Sequence, residues 1–152
     1  MASEIFITII AFLGFVAGAI LKSAVPEEQK PGKKYMVIAG KVILAVLAVY
    51  IIITFLSTDL TGILFFIIGL LVGTYFRRPY FYLGLAMLNF NFIITVLVFS
   101  FGIIYGNKRI ISNAILFSIP FLVLLTPLNT TYPILFAGGG LLGMLSFSKT
   151  MK

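Results

Sequence analysis

Several residue types that carry much of protein chemistry are missing from this sequence. It contains no cysteine and no histidine, and Asp59 is its single aspartate among four acidic residues. Disulfides, thiolate chemistry, histidine-ligated haem and the usual zinc or copper sites are therefore excluded. Acid–base catalysis needs a positioned histidine, carboxylate, thiol or similar group. We expect no enzymatic activity, no metal and no cofactor.

Charge of either sign is also scarce. Only 10% of the 152 residues are charged and 61% are hydrophobic, with a mean hydropathy of +1.19. Soluble domains carry about a quarter charged residues, and a soluble fold could not cover this much apolar surface. The composition predicts an all-α, polytopic transmembrane bundle that forms one integral membrane domain over residues 1–152, with the lipid bilayer as its main partner.

The apolar runs and the basic residues between them predict about six helices. The net charge of +7 falls between the runs, where positive-inside topology explains it and no nucleic-acid partner is needed. Lys22 and its successors follow the first run, so the N-terminus is expected outside a cell membrane and the basic loop 22–34 in the cytoplasm. The predicted spans are 5–21, 35–56, 60–76, 80–105, 110–125 and 132–147.

The apolar stretch 80–105 is longer than the roughly 20 residues that cross a bilayer. As one tilted helix it completes six crossings, which places Lys108, Arg109 and Lys149 outside. As a re-entrant segment it returns to the side on which it began, which leaves five crossings and makes every basic loop cytoplasmic. A single tilted helix is the simpler of the two and is the arrangement we predict.

Three predicted helices contain a GxxxG motif. Small residues four positions apart lie on one helix face and let a second backbone approach closely, which is how helices associate in lipid. The ordinary interpretation is that these faces pack against other helices of the same chain. The more specific hypothesis is that they form an interface within a homo-oligomer or a larger membrane complex. The six residues concerned are Gly14, Gly18, Gly69, Gly73, Gly139 and Gly143.

Polar side chains and one proline interrupt the later hydrophobic spans. Polar groups cost free energy in lipid, so they usually face a cavity or one another, and a proline kinks a helix and frees a carbonyl. These residues predict either hydrogen bonds between helices or a path for a small solute. The candidates are Asn89, Asn91, Asn113, Ser118 and Pro120.

Basic residues next to the predicted spans form a third set. Lysines and arginines close to a cytoplasmic membrane surface attract anionic lipid headgroups by about 1 kcal/mol each. We expect Lys30, Lys33, Lys34, Arg77 and Arg78 to contact lipid headgroups.

Two functions are compatible with these features. The first is an accessory, assembly or oligomerising membrane subunit that binds through its GxxxG faces. The second is a channel or transporter for a small solute or ion, lined by the intramembrane asparagines and a proline-kinked helix. The absence of ionisable groups at membrane depth favours the first.

Overall fold

Helices account for every regular element in the part of the chain that the structure describes. The computed structural model describes residues 2–24, 29–56, 59–105, 110–125 and 129–146. Long apolar runs that lack interior prolines explain the longer helices, because tertiary burial of an apolar face stabilises a helix more than intrinsic propensity does. The α-helices are α1 (Ala2–Ala24), α2 (Gln29–Phe55), α3 (Leu60–Tyr75), α4 (Pro79–Ala86), α5 (Phe92–Tyr105), α6 (Ile110–Ser118) and α7 (Thr131–Ser146).

The stretch 80–105 is not one helix, contrary to the prediction. It divides into α4, a 3₁₀ segment Met87–Asn89, and α5. Between the last two, Phe90 adopts a φ of 48°, which is unfavourable for a bulky residue and incompatible with continuing the helix. The side chain of Asn91 then begins α5, because its Oδ1 accepts a hydrogen bond of 2.9 Å from the backbone N–H of Ile93, as a helix N-cap does.

Two other boundaries differ from the predicted ones. Helix α2 begins at Gln29, so the predicted loop 22–34 is helical at both ends, and residues 25–28 lie outside the described part. Pro120 does not kink a continuing α-helix. Instead α6 ends at Ser118 and a 3₁₀ segment, Ile119–Leu125, follows, since the proline ring cannot donate the hydrogen bond that would extend an α-helix.

The described residues group into two compact units. Unit 1 takes its residues from Met1–Leu44 and Phe90–Ala114, and its core includes Ala11, Phe15, Ile94 and Val98. Unit 2 takes its residues from Ala45–Asn89 and Ile115–Lys152, and its core includes Tyr82, Leu83, Ile134 and Leu141. Each unit is therefore assembled from two segments that lie far apart in the sequence.

Two helical stretches are long and apolar enough to cross a membrane. They are Phe6–Ala24 within α1 and Lys34–Phe55 within α2. The remaining apolar helices are shorter, at 10–17 residues. By length and composition alone, these two stretches fit the thickness of a bilayer.

Candidate functional site

The glycines of α3 and α7 bring these two helices into backbone contact within unit 2. A Cβ placed on Gly69 would lie 2.8 Å from the carbonyl carbon of Phe136, and one on Gly73 would lie 2.8 Å from that of Gly140. Real Cβ atoms essentially never approach another atom within 3.0 Å. No residue larger than glycine fits at either position without moving a backbone. The GxxxG motif of α3 therefore packs against α7 of the same chain.

The contact between α3 and α7 is reciprocal. A Cβ on Gly139 would lie 2.9 Å from the backbone nitrogen of Leu70, and one on Gly143 would lie 3.0 Å from the carbonyl carbon of Leu70. Residue numbers increase together along the two helices, so α3 and α7 run parallel. The backbone of each helix thus packs against the glycines of the other, as in a symmetric interface between two identical chains.

The starts of α3 and α7 are also built alike, which the sequence interpretation missed. Asp59 Oδ1 accepts a hydrogen bond of 3.4 Å from the N–H of Thr61, and Asn129 Oδ1 accepts one of 3.1 Å from the N–H of Thr131. A shared pattern could have revealed this likeness, since Asx-x-Thr-x4-Phe-x2-Gly-x3-Gly begins at both Asp59 and Asn129. The hydroxyl of Tyr132 also donates a 3.0 Å hydrogen bond to Asp59.

Unit 1 contains a second parallel pair, formed by α1 and α5. A Cβ on Gly14 would lie 2.8 Å from the Cα of Phe99, and one on Gly18 would lie 2.6 Å from the carbonyl oxygen of Ile103. In return, one on Gly102 would lie 2.7 Å from the backbone nitrogen of Phe15. All six glycines of the GxxxG motifs are therefore buried against helices of their own unit.

The three consecutive glycines of α7 face three different neighbours in unit 2. Gly138 faces Ile51 of α2, Gly139 faces the backbone of α3, and Gly140 faces the ring of Tyr82. Tyr82 is fully buried, and its hydroxyl donates a 3.0 Å hydrogen bond to the carbonyl oxygen of Phe76, which caps α3. The ring of Tyr82 therefore fills the space that the missing side chain of Gly140 leaves.

The polar candidates near the helix break bond locally. The backbone carbonyl of Asn91 accepts hydrogen bonds of 2.9 Å from both the N–H and the hydroxyl of Thr95. Thr95 is 3% exposed and is the single buried polar or charged residue among those whose burial is described. Asn89 is exposed and Asn91 half-buried. The structure therefore assigns Asn91 a capping role at the start of α5.

The remaining polar candidates lie on α6 and the 3₁₀ segment that follows it. Asn113 is half-buried, Ser118 is exposed and Pro120 is buried. In unit 2, Gly84 of α4 packs against this junction, since a Cβ there would lie 3.0 Å from the Pro120 ring and 3.1 Å from the carbonyl carbon of Phe117. Helix α4 thus packs against the junction between α6 and the 3₁₀ segment Ile119–Leu125.

The candidate headgroup-binding residues that the structure describes are exposed. Lys34, Arg77 and Arg78 are exposed, while the side chains of Lys30 and Lys33 lie outside the described part. Arg77 Nε donates a 3.1 Å hydrogen bond to the carbonyl oxygen of Thr74, a favourable position for a cation at a helix C-terminus. In unit 1, the Lys22 ammonium lies 5.7 Å from the centre of the Tyr105 ring.

Across the described residues, no three histidine, cysteine or acidic side chains come together where they could hold a metal ion. With the geometry of the two helix pairs in place, the chain was compared with known proteins. No protein-family model, no curated protein and no solved structure matches it.

Proposed function

We propose that this chain is an integral membrane protein. The supporting observation is its outward-facing surface, on which large apolar side chains such as Ile53 (78% exposed), Leu60 (71%) and Phe92 (75%) are open. On α3 the outward residues are almost all aliphatic. Exposure of apolar surface to water costs about 25 cal/mol per Å², and a surface with many exposed large apolar side chains is typical of contact with membrane or protein.

Membrane fractionation tests this location. After expression, we expect the chain to stay in the membrane pellet through an alkaline carbonate wash and to be released only by detergent. Release by the wash would overturn the proposed location.

Within the membrane, we propose that the chain is an accessory or assembly subunit. The supporting observation is the largely apolar interior, because Thr95 is the single buried polar residue in the described part apart from the buried tyrosines. The hydroxyl of Thr95 bonds to the carbonyl of Asn91 at the start of its own helix, and that of Tyr82 bonds to the carbonyl of Phe76. A conducting path needs polar groups that replace solute hydration. A bundle without them provides a rigid shape for other membrane helices or for further copies of itself.

The glycine motifs then have a different place in this function from the one predicted. All six glycines contact helices of the same unit, so a partner could use those faces only if a pair opened. We propose that the glycine faces hold the scaffold together and that partners contact its outward aliphatic faces.

The size of the particle in mild detergent tests the assembly function. We expect a protein mass larger than the 16.7 kDa of one chain after the detergent contribution is subtracted. Asn91→Leu should leave that mass unchanged. A particle containing one chain and no other protein would overturn the proposal.

A second candidate function is the channel or transporter, and the helix break favours it. Interrupted helices with polar residues at the break form the binding sites of many transporters. Here Phe90, at a φ of 48°, stands between Asn89 and Asn91. The break interrupts a run that is otherwise apolar from Tyr80 to Tyr105.

Solute flux into liposomes tests this candidate, and the chain offers a matched control. Asn91→Ala and Asn129→Ala each remove a side-chain oxygen that accepts a hydrogen bond from the backbone N–H two residues later, at the starts of α5 and α7 respectively. If Asn91 lines a path, Asn91→Ala should reduce flux several-fold and Asn129→Ala should not. Flux equal to that of empty liposomes, over ions and small polar solutes, would remove transport from consideration.

A further inference from the structure

The directions of the paired helices restrict how the chain can cross a membrane. In unit 1, Gly14 lies against Phe99 and Gly18 against Ile103, and the Lys22 ammonium lies over the Tyr105 ring. Contacts advance in the same direction along both helices, so α1 and α5 are parallel. If both span the bilayer, they cross it in the same direction.

The pair in unit 2 gives the same restriction. Tyr132 bonds to Asp59 at the starts of α7 and α3, and Gly140 lies against Gly73 further along. Because α3 and α7 are also parallel, an odd number of crossings must separate the end of α3 from the start of α7. The six-crossing arrangement, with 80–105 as one helix, would make α1 and α5 antiparallel and is incompatible with these contacts.

The depth of the break at Asn91 separates the two remaining arrangements. Since Phe99 lies level with Gly14, Asn91 lies level with Phe6 by the equal rise of the two helices. The contact of Gly102 with Gly14 and Phe15 places it at Ser3 or Glu4. All these positions are at the start of α1, where its apolar run begins. The chain therefore turns at the outer end of α1 and not at its middle, as a re-entrant segment would.

The length of the preceding segment agrees with this depth. Helix α4 spans about 12 Å, the 3₁₀ segment Met87–Asn89 about 6 Å, and the two residues after it add at most about 7 Å. The greatest combined length is close to that of α3, whose 16 residues span about 24 Å. Segment 79–91 can thus cross wherever α3 can.

Resting on the proposed membrane location, we infer that the chain crosses the bilayer seven times. Helix α1 starts on one side of the membrane, the break at Asn89–Asn91 returns to that side, and α7 ends on the other side. This arrangement directs the lysines and arginines whose side chains the structure describes toward the leaflet at which α1 and α3 end. They are Lys22, Lys34, Lys41, Arg77 and Arg78.

The one-sided distribution of charge agrees with the positive-inside rule at every connection, so no basic segment has to be tolerated outside. It also defines an interaction surface. In unit 2, Arg77 and Arg78 are exposed just after α3, and their charge fits the anionic headgroups of the cytoplasmic leaflet.

Cysteine accessibility tests the crossing count, because the natural chain contains no cysteine. Single substitutions Ser3→Cys, Asn89→Cys and Asn129→Cys should react with a membrane-impermeant maleimide in intact cells. Ser23→Cys, Asn107→Cys and Ser146→Cys should react only after the membrane is opened. Phe92→Cys, at an exposed position next to the break, replaces Asn89→Cys if that variant is not produced.

Each alternative gives a different labelling result. Asn89→Cys and Phe92→Cys that react only after detergent treatment would overturn seven crossings in favour of a re-entrant segment. Asn107→Cys that reacts in intact cells would overturn the parallel arrangement. If every cysteine reacts equally and the chain is also released by carbonate, the proposed membrane location itself fails.

Thermal unfolding in vesicles tests the basic surface. We expect vesicles containing phosphatidylglycerol to raise the unfolding midpoint relative to pure phosphatidylcholine, and Arg77→Gln with Arg78→Gln to reduce that increment. Thr61→Ala, at an exposed position near the opposite end of α3, is the control and should keep it. An increment that is the same in all three proteins would overturn the headgroup surface while leaving the crossing count in place.

Discussion

The two helix pairs make the same kind of contact from different sequences. In α3 and α7, two glycines on each helix meet the backbone of the other, and both helices start with an Asx cap two residues before a threonine. In α1 and α5, α1 contributes two glycines to the contact, and Gly102 is the opposing glycine of α5 among the described residues. Glycines four residues apart thus determine the approach of two helices, while the surrounding side chains can vary.

The two helix pairs differ in the contacts at their ends. The α3–α7 pair has the Asp59–Tyr132 hydrogen bond and the stacked rings of Phe65 and Tyr132, whose centres are 5.4 Å apart. The α1–α5 pair has Lys22 over Tyr105 at the opposite end, where both helices finish. Close packing in the middle is common to both pairs, and the end contacts are particular to each.

The largest expected effect is the loss of the reciprocal contact. Gly73→Ala should lower the free energy of unfolding by about 3 kcal/mol, because its Cβ would meet the backbone of Gly140, which cannot yield as a flexible side chain does. Unfolding in detergent, followed by circular dichroism, measures it. Gly32→Ala is the control, since no atom lies within 4 Å of a Cβ there. It should gain up to about 1 kcal/mol of stability from helix propensity. Equal stability of the two variants would contradict the close contact.

The second prediction tests whether the contact between α1 and α5 contributes less to stability than the contact between α3 and α7. Gly14→Ala should cost about 2 kcal/mol, because its Cβ would lie 2.8 Å from the Cα of Phe99, but fewer glycines oppose each other there. The same unfolding measurement ranks it against Gly73→Ala. A loss greater than that of Gly73→Ala would reverse the comparison.

The third effect concerns the aromatic side chain that fills the space beside Gly140. Tyr82→Phe keeps the ring and removes the 3.0 Å hydrogen bond to the carbonyl of Phe76, so stability should fall by about 1 kcal/mol. Tyr75→Phe, at a residue 89% exposed, should change the free energy of unfolding by only a few tenths of the loss expected for Tyr82→Phe. Matching losses in the two variants would show that the buried hydroxyl contributes nothing specific.

The sequence predicted the helices better than it predicted their partners. Apolar runs located α1, α2, α3 and α7 because hydrophobicity and length are properties of a continuous segment. The break at Phe90 was missed, since neither a proline nor a glycine marks it and the left-handed conformation of a phenylalanine depends on its surroundings. Asn91 was interpreted as a polar group within a helix, whereas it begins one.

The glycine faces illustrate the same limit. The motifs showed that a helix would approach each face, but the choice of partner depends on the arrangement of the whole chain. Three α-helices, two 3₁₀ segments and the break at Phe90 lie between α3, which carries Gly69, and α7, which carries Phe136. The pattern shared by α3 and α7 is visible in the sequence. It predicts that the two helices have similar structures, but it does not predict that they contact each other.

The smallest expected effect tests whether the starts of α3 and α7 are interchangeable. Asp59→Asn gives α3 the Asx residue that precedes α7, and the amide Oδ1 can still accept the bond from the N–H of Thr61. The amide nitrogen replaces the oxygen that accepts from Tyr132, so the Tyr132 hydroxyl must turn and accept a hydrogen bond from the amide. Because both contacts can still form and only the charge is lost, stability should fall by about 0.3 kcal/mol. Asp59→Ala should cost about 1 kcal/mol, because it removes the cap and the Tyr132 partner together. Differences in unfolding midpoint between these variants measure both. If Asp59→Asn is as damaging as Asp59→Ala, the charge of Asp59 has a role that Asn129 does not share, and the likeness of the two helix starts is limited to their geometry.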